Sequence, residues 1–288
     1  MKLLAGNTAL VTGATGGLGV YIANSLADAG INLALTAYPG LRLEALKEAI
    51  QKKGVRAIAF PADLRSSEQS ARLVEKVMEE LGRIDLLVNN AAVETTAAYH
   101  EVSEQRIEEI LAVNLEGPMR LARLVLPHML ARKQGHIVNI SSLAGKAGPA
   151  FQECYAATKA GLIAFTTSLR ATYRGSGVGA SVICPGFVEA GIYARLKTRT
   201  GVSAPALLGT SRPEAVAEAV VRAVRRDLPE VIINPIPVRP LFALTALCPS
   251  LGQWIITKIG THDFFRRVRD AEAQVQTQNQ EAKLVSAA

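Results

Sequence analysis

Short apolar runs alternate with helix-length amphipathic stretches along most of this 288-residue chain, and that alternation limits the fold more than any other feature. Thr8–Thr12, Asn32–Ala37, Val55–Phe60, Asp85–Asn89, His136–Ile140 and Ala180–Cys184 read as strands, and Val231–Asn234 is a candidate seventh. Helical patterns fall between them at Tyr21–Ala29, Leu41–Lys53, Ser67–Leu81, Met119–Arg132, Tyr155–Tyr173 and Pro213–Arg226. Strands separated by helices close through right-handed βαβ crossovers. The expected class is therefore α/β: a Rossmann-like, doubly wound, mostly parallel seven-stranded sheet with helices on both faces. Strands buried on both faces are continuously apolar, consistent with a hydrophobic content of 49%.

Other classes drop out quickly. Cys154, Cys184 and Cys248 are odd in number and far apart, which argues against a disulfide framework. The four histidines show no ligand spacing, so no metal is expected. Net charge is +7, but aromatic content is only 5% and no stacking platform or zinc-finger spacing occurs, so nucleic acid is not an expected partner. The opening MKLLAGNTALVTG has an apolar run too short for a signal peptide, and a reducing, cytoplasmic setting is expected.

The first strand runs into Thr12-Gly13-Ala14-Thr15-Gly16-Gly17-Leu18-Gly19. Glycines at a strand-to-helix turn let the backbone approach a phosphate, and the helix start supplies free N–H donors. Taken with Tyr155-x-x-x-Lys159, this TGxxxGxG pattern resembles the short-chain dehydrogenase/reductase family over about residues 5–235. Asn89-Asn90-Ala91-Ala92 resembles the family's NNAG segment, with Ala92 in place of glycine, and Asn114, Ser142 and Pro185-Gly186 fall in register. The resemblance implies a dinucleotide held by Thr12, Gly13, Thr15, Gly16, Gly17, Leu18 and Gly19, by Asp63 and Leu64 near the adenine, and by Asn90 and Ala91. Tyr155, Lys159, Pro185, Gly186 and Val188 complete the implied set. The family's ribose-binding acid is replaced by Ala37, and Tyr38 and Arg42 follow. With no acid to repel a 2′-phosphate and Arg42 a candidate to bind it, NADP is the expected cofactor in preference to NAD.

Tyr155 and Lys159 share one face of a helix, and an ammonium near a phenol favours the phenolate. Tyr155 is thus the candidate acid–base group. YxxxK also arises by chance on ordinary helices; Ser142, at the carboxyl end of the fifth strand, is what gives it weight. Ser142 is expected to hydrogen-bond the substrate oxygen, Ser141 to point away, and Asn114 to hold a water beside Lys159 or to cap backbone. Cys154 reads as packing. The family's threonine after Pro-Gly is Ala190 here, leaving backbone such as Val188 to hold a nicotinamide amide.

The expected activity is hydride transfer between NADP(H) and a carbonyl or secondary alcohol of an apolar substrate, with Tyr193, Leu196, Leu207 and Leu208 as candidate pocket residues. A catalytically silent dinucleotide-binding regulator and a membrane-associated interaction protein are the alternatives on the same fold. The resemblance also implies a homodimer or homotetramer built through the helices at Met119–Arg132 and Tyr155–Tyr173. Residues 1–235 are expected to form the nucleotide-binding catalytic domain and 236–288 an appendage. Within the appendage Leu241–Thr257 is uncharged over 17 residues, but Pro249 and Gly252 make a membrane crossing improbable. Five basic residues against one acid surround it between Arg239 and Arg269. The segment suits either a helix on an anionic membrane surface or a lid or subunit contact, and Ala271–Ala288 reads as a frayed polar tail.

Overall fold

The computed structural model describes residues 5–40 and 42–287, with side chains described as far as Val275. Its strands are β1 (Thr8–Thr12), β2 (Asn32–Thr36), β3 (Ala57–Ala59), β4 (Leu86–Asn89), β5 (Gly135–Ile140), β6 (Val178–Pro185) and β7 (Glu230–Ile233). They form one sheet in the order β3-β2-β1-β4-β5-β6-β7. Every described pairing is parallel, so the sheet is wholly rather than mostly parallel.

The helices of this frame are α1 (Gly17–Asp28), α2 (Leu43–Gln51), α3 (Ser67–Leu81), α4 (Glu104–Leu111), α5 (Gly117–Ala131), α6 (Glu153–Thr172), α7 (Gly191–Thr200) and α8 (Pro213–Arg226). Strand residues alternate between two cores. Ala9, Val11, Leu86 and Val88 face Ile22 and Leu26 of α1 and Val216 and Val220 of α8. Leu10, Leu87 and Ile137 face Leu73 and Val77 of α3 and Leu121 and Val125 of α5. This period-2 alternation inside unbroken apolar runs is what a sheet covered on both faces requires. The chain winds away from β1 in both directions, so β1 and β4 flank the switch point, and a crevice opens beyond their carboxyl ends.

Two helices lie where no helix was expected. α4 (EQRIEEIL) buries only Ile110, although Ile107, Ile110 and Leu111 stand at helical spacing; Ser103 starts it by accepting the Arg106 N–H. It passes into α5 through a π-helical turn, Ala112–Glu116, which holds Asn114. α7 buries Tyr193 and Leu196 against the carboxyl-terminal segment.

That segment forms α9 (Arg239–Leu247), α10 (Pro249–Lys258) and α11 (Thr261–Ala287). α9 and α10 make a tight hairpin: a Cβ on Gly252 would stand 2.5 Å from Thr245 Cα. Phe264 and Val268 of α11 are fully buried with Tyr193 and Leu196. The tail expected to fray continues as helix to Ala287, in keeping with a stretch rich in Ala, Gln and Glu. No described helix is long and apolar enough to cross a membrane.

Candidate active site

A cavity of about 670 Å³ opens at the carboxyl ends of β1, β4, β5 and β6. The β1–α1 turn forms one wall. Gly13 has φ +60°, and a Cβ there would lie 2.8 Å from Ala91 Cα, so only glycine fits. A Cβ on Gly19 would overlap the Gly13 carbonyl, and one on Gly17 the Gly191 nitrogen. Thr12 Oγ1 accepts the N–H groups of Asn90 (2.9 Å) and Ala91 (3.1 Å), while Asn90 Nδ2 donates to the carbonyls of Thr12 and Gly13. Thr12 and Gly19 thus brace the turn from behind. Gly13, Thr15, Gly16, Gly17, Leu18, Asn90 and Ala91 line the cavity.

α1 begins with no side-chain cap, leaving its first N–H groups open, and the buried Thr15 hydroxyl has no hydrogen-bond partner among the described residues. These donors face the cavity beside the dipole's positive end, and they fit a pyrophosphate.

At the far end Tyr38, Asp63 and Leu64 line the cavity with Arg65. Arg65 forks onto Asp63 (2.7–3.0 Å), reaches the Tyr38 hydroxyl (3.3 Å), and lies 5.5 Å from the Tyr38 ring centre. The hydrogen bond from Arg65 holds the Asp63 carboxyl below its usual value, against the opposing effect of burial. Arg42 is instead an exposed residue at the start of α2, and it is not among the lining residues. The cation beside Tyr38 is therefore Arg65, which sequence reading missed although it lies two residues beyond Asp63.

Ser142, Tyr155 and Lys159 meet at the other end. Ser142 Oγ accepts the Ala144 N–H at 3.1 Å, and Ser141, one residue earlier, donates to the Lys159 carbonyl at 2.7 Å. Ser141 nevertheless reaches the cavity lining as well. Lys159 is 2% exposed; its Nζ donates to the Ile140 carbonyl at 2.9 Å and sits 5.4 Å from the Tyr155 ring centre. Burial pushes its pKa down to about 8. Its remaining protons have no partner among the described residues, and they suit ribose hydroxyls in the same cavity.

Burial holds the Tyr155 phenol above its ordinary pKa, against a hydrogen bond with Ser142 that lowers it. The expectation that Lys159 pulls the phenol down is not met. The ammonium hydrogen-bonds backbone, and desolvation of the phenolate dominates.

Asn114 is fully buried and stands behind the lining rather than in it. Its amide exchanges hydrogen bonds with the Val93 backbone (2.8 and 2.9 Å) and reaches Thr158 Oγ1 at 3.3 Å. It ties the loop after β4 to α6. Pro185, Gly186, Val188 and Ala190 line the cavity near the start of α7. Tyr193, Leu196 and Leu208 also line it, whereas Leu207 is exposed and does not.

The roof comes from the carboxyl-terminal helices: Leu241, Phe242, Ile256, Ile259, Phe264 and Phe265 close over the cavity. Phe264 packs edge-to-face on Phe187 at 4.8 Å, and Arg199 of α7 pairs with Glu272 of α11. His262 Nδ1 accepts the Ala150 N–H at 3.1 Å, and Arg269 lies 4.6 Å from the Phe151 ring centre, so α11 also grips the loop before Tyr155. The inward face of the uncharged segment thus contributes Leu241, Phe242 and Ile256 to the cavity wall.

Known proteins resemble this chain in sequence and fold. The family model described as short chain dehydrogenase matches residues 7–200. A ketoacyl reductase, HetN, of Nostoc sp. (strain PCC 7120 / SAG 25.82 / UTEX 2576) is 42% identical over 253 residues, covering 88% of this chain and 86% of its own. A 3-oxoacyl-[acyl-carrier-protein] reductase of Staphylococcus epidermidis (strain ATCC 35984 / DSM 28319 / BCRC 17069 / CCUG 31568 / BM 3577 / RP62A) is 34% identical over 183 residues, 63% of this chain and 75% of its own. A metagenomic short-chain oxidoreductase solved in complex with NADP superposes with a TM-score of 0.70 at 32% identity, covering 82% of this chain and all of that one. With the family model matching two-thirds of its length and a reductase relative 42% identical over 88% of it, the chain belongs to the short-chain dehydrogenase/reductase family of oxidoreductases.

Proposed function

We propose that the protein is an NADP(H)-dependent reductase of carbonyl groups carried on apolar chains, with 3-oxoacyl thioesters as its substrate class, and that it also runs the reverse oxidation. One observation carries this reading: Ser142 and Tyr155 line the same cavity as the apolar Phe187, Leu196, Phe242 and Phe264. The names of the two reductase relatives point to the same substrate class.

A bound nicotinamide supplies the hydride. Thr15, Gly16, Gly17 and Leu18 would hold the pyrophosphate, Lys159 the ribose hydroxyls, and backbone at Val188 and Ala190 the carboxamide. Ser142 hydrogen-bonds the substrate oxygen, and Tyr155 gives it a proton during reduction. The raised phenol suits this direction, because Tyr155 remains protonated at neutral pH. The apolar lid keeps water from the reacting carbon. The outer faces of α5 and α6, where Met119 is exposed, serve as the subunit contact in this reading.

The test is NADPH consumption on 3-oxoacyl thioesters of rising chain length. Each buried methylene is worth about 0.8 kcal/mol, so kcat/KM should rise roughly fourfold per methylene until the cavity is full. No turnover at any length would overturn the assignment, and a flat length dependence would remove the apolar-chain part.

The cofactor preference has its own test. Arg65→Ala removes the one lining cation beside Tyr38, and charge-assisted hydrogen bonds are worth about 1.5–3 kcal/mol. NADP(H) binding, followed by titration calorimetry, should weaken about 10- to 100-fold, with NAD(H) changed only a few-fold. Arg42→Ala is expected to leave both near wild type. The reverse pattern would return the role to Arg42, and equal loss for both cofactors would refute a 2′-phosphate site.

A further inference from the structure

We infer that the outward face of the α9–α10 hairpin docks on an anionic lipid bilayer, placing the roof of the substrate cavity against the membrane surface. The hairpin has two unlike faces. Its inward side chains line the cavity. Its outward side presents Leu247, 80% exposed, Trp254, 58%, and Leu251, 46%.

Leu251, Trp254 and Lys258 lie three and four residues apart and so share one stripe of α10. On α9, Ala243, Ala246 and Leu247 are all exposed. Large apolar side chains at that exposure, grouped at one hairpin tip, mark an interaction surface.

Charge selects the partner. The twenty residues from Arg239 to Lys258 contain no acid. Cations stand at both ends: Arg239, which meets Glu230 at 3.2 Å, and Lys258, whose Nζ lies 5.9 Å from the Trp254 ring centre. Exposed Arg266 and Arg267 follow on α11, Arg266 paired with Asp263. An apolar band rimmed by cations, with a tryptophan at the boundary, matches the chemistry of an anionic leaflet. A second copy meeting the same face across a two-fold axis would bring like charges together around an acid-free segment, so the observations favour lipid. A buried lid and a lipid-facing surface were alternatives for the sequence; a two-faced hairpin allows both.

The test uses the full chain and its single tryptophan, Trp254, which reports this face alone. Phosphatidylglycerol/phosphatidylcholine vesicles should pellet the protein at low salt and shift Trp254 emission to the blue, with both effects reduced by added salt. Pure phosphatidylcholine should bind far more weakly. Lys258→Ala should weaken binding about fivefold, the value of one interfacial cation. Leu247→Glu and Leu251→Glu should abolish the shift while thermal melting stays at the wild-type temperature, since both side chains are exposed. An unchanged Trp254 emission on anionic vesicles at low salt would overturn the proposal, as would pelleting without that shift. So would a concentration-dependent dimer that Leu247→Glu dissolves, because a second copy would then cover the face.

Discussion

Tyr155→Phe should lower turnover by about 10²- to 10⁴-fold, the contribution of a positioned general acid, while leaving cofactor affinity within a few-fold of wild type. The substitution removes one oxygen and keeps the ring, so the packing over Lys159 Nζ, at 5.4 Å, survives. What disappears is the phenol that hydrogen-bonds with Ser142 in the cavity. Because burial holds that phenol above its ordinary pKa, wild-type Tyr155 is poised to donate, and the mutant has nothing in its place. The loss should fall on kcat and on kcat/KM alike, since the proton moves only as the transition state forms. Turnover within a few-fold of wild type in a steady-state assay would remove Tyr155 from the reaction.

Lys159→Met should abolish ribose anchoring and most turnover, and yet make the ligand-free protein more stable. Burial takes the Lys159 pKa from 10.5 to about 8. Between those values the unfolded chain binds the extra proton, so wild-type stability rises with pH from about 8 to about 10.5. Below pH 8 both states are charged, and the folded state carries the full penalty, at most about 3 kcal/mol. Methionine relieves it. The Ile140 carbonyl then loses its 2.9 Å partner, which costs about 1–2 kcal/mol. The balance favours the variant, and calorimetric melting of the free protein at pH 7 should show a Tm a few degrees above wild type. That gain should shrink toward pH 10.5. A Tm at or below wild type at pH 7 would mean that the buried ammonium is satisfied by something other than Ile140.

The parts of this site that read plainly in the sequence are those where chemistry ties a residue type to a spacing. β1 was legible to the residue at Thr8–Thr12, because a strand covered on both faces must be apolar throughout. The glycine turn was legible because Gly13 needs a positive φ and Gly17 and Gly19 leave no room for a Cβ. Tyr155 and Lys159 were legible as a helical pair. α4 was not read, because its apolar stripe, Ile107, Ile110 and Leu111, is confined to two turns. Arg65 was not read at all, and Arg42 stood as the candidate cation. Nearness along the chain favours Arg42, but the adjacent carboxyl ends of β2 and β3 bring Arg65 to Tyr38 across 27 residues.

The sequence alone determined the α/β class, the cofactor-type turn and the helical pairing of Tyr155 with Lys159, because local sterics and helix or strand periodicity act between near neighbours. Tertiary structure alone decided which arginine flanks Tyr38, how far Tyr155 and Lys159 depart from their ordinary pKa values, and which face of α9 and α10 roofs the cavity. Those properties depend on what surrounds a group in space: desolvation, charge and contact come from residues that the chain brings together only by folding.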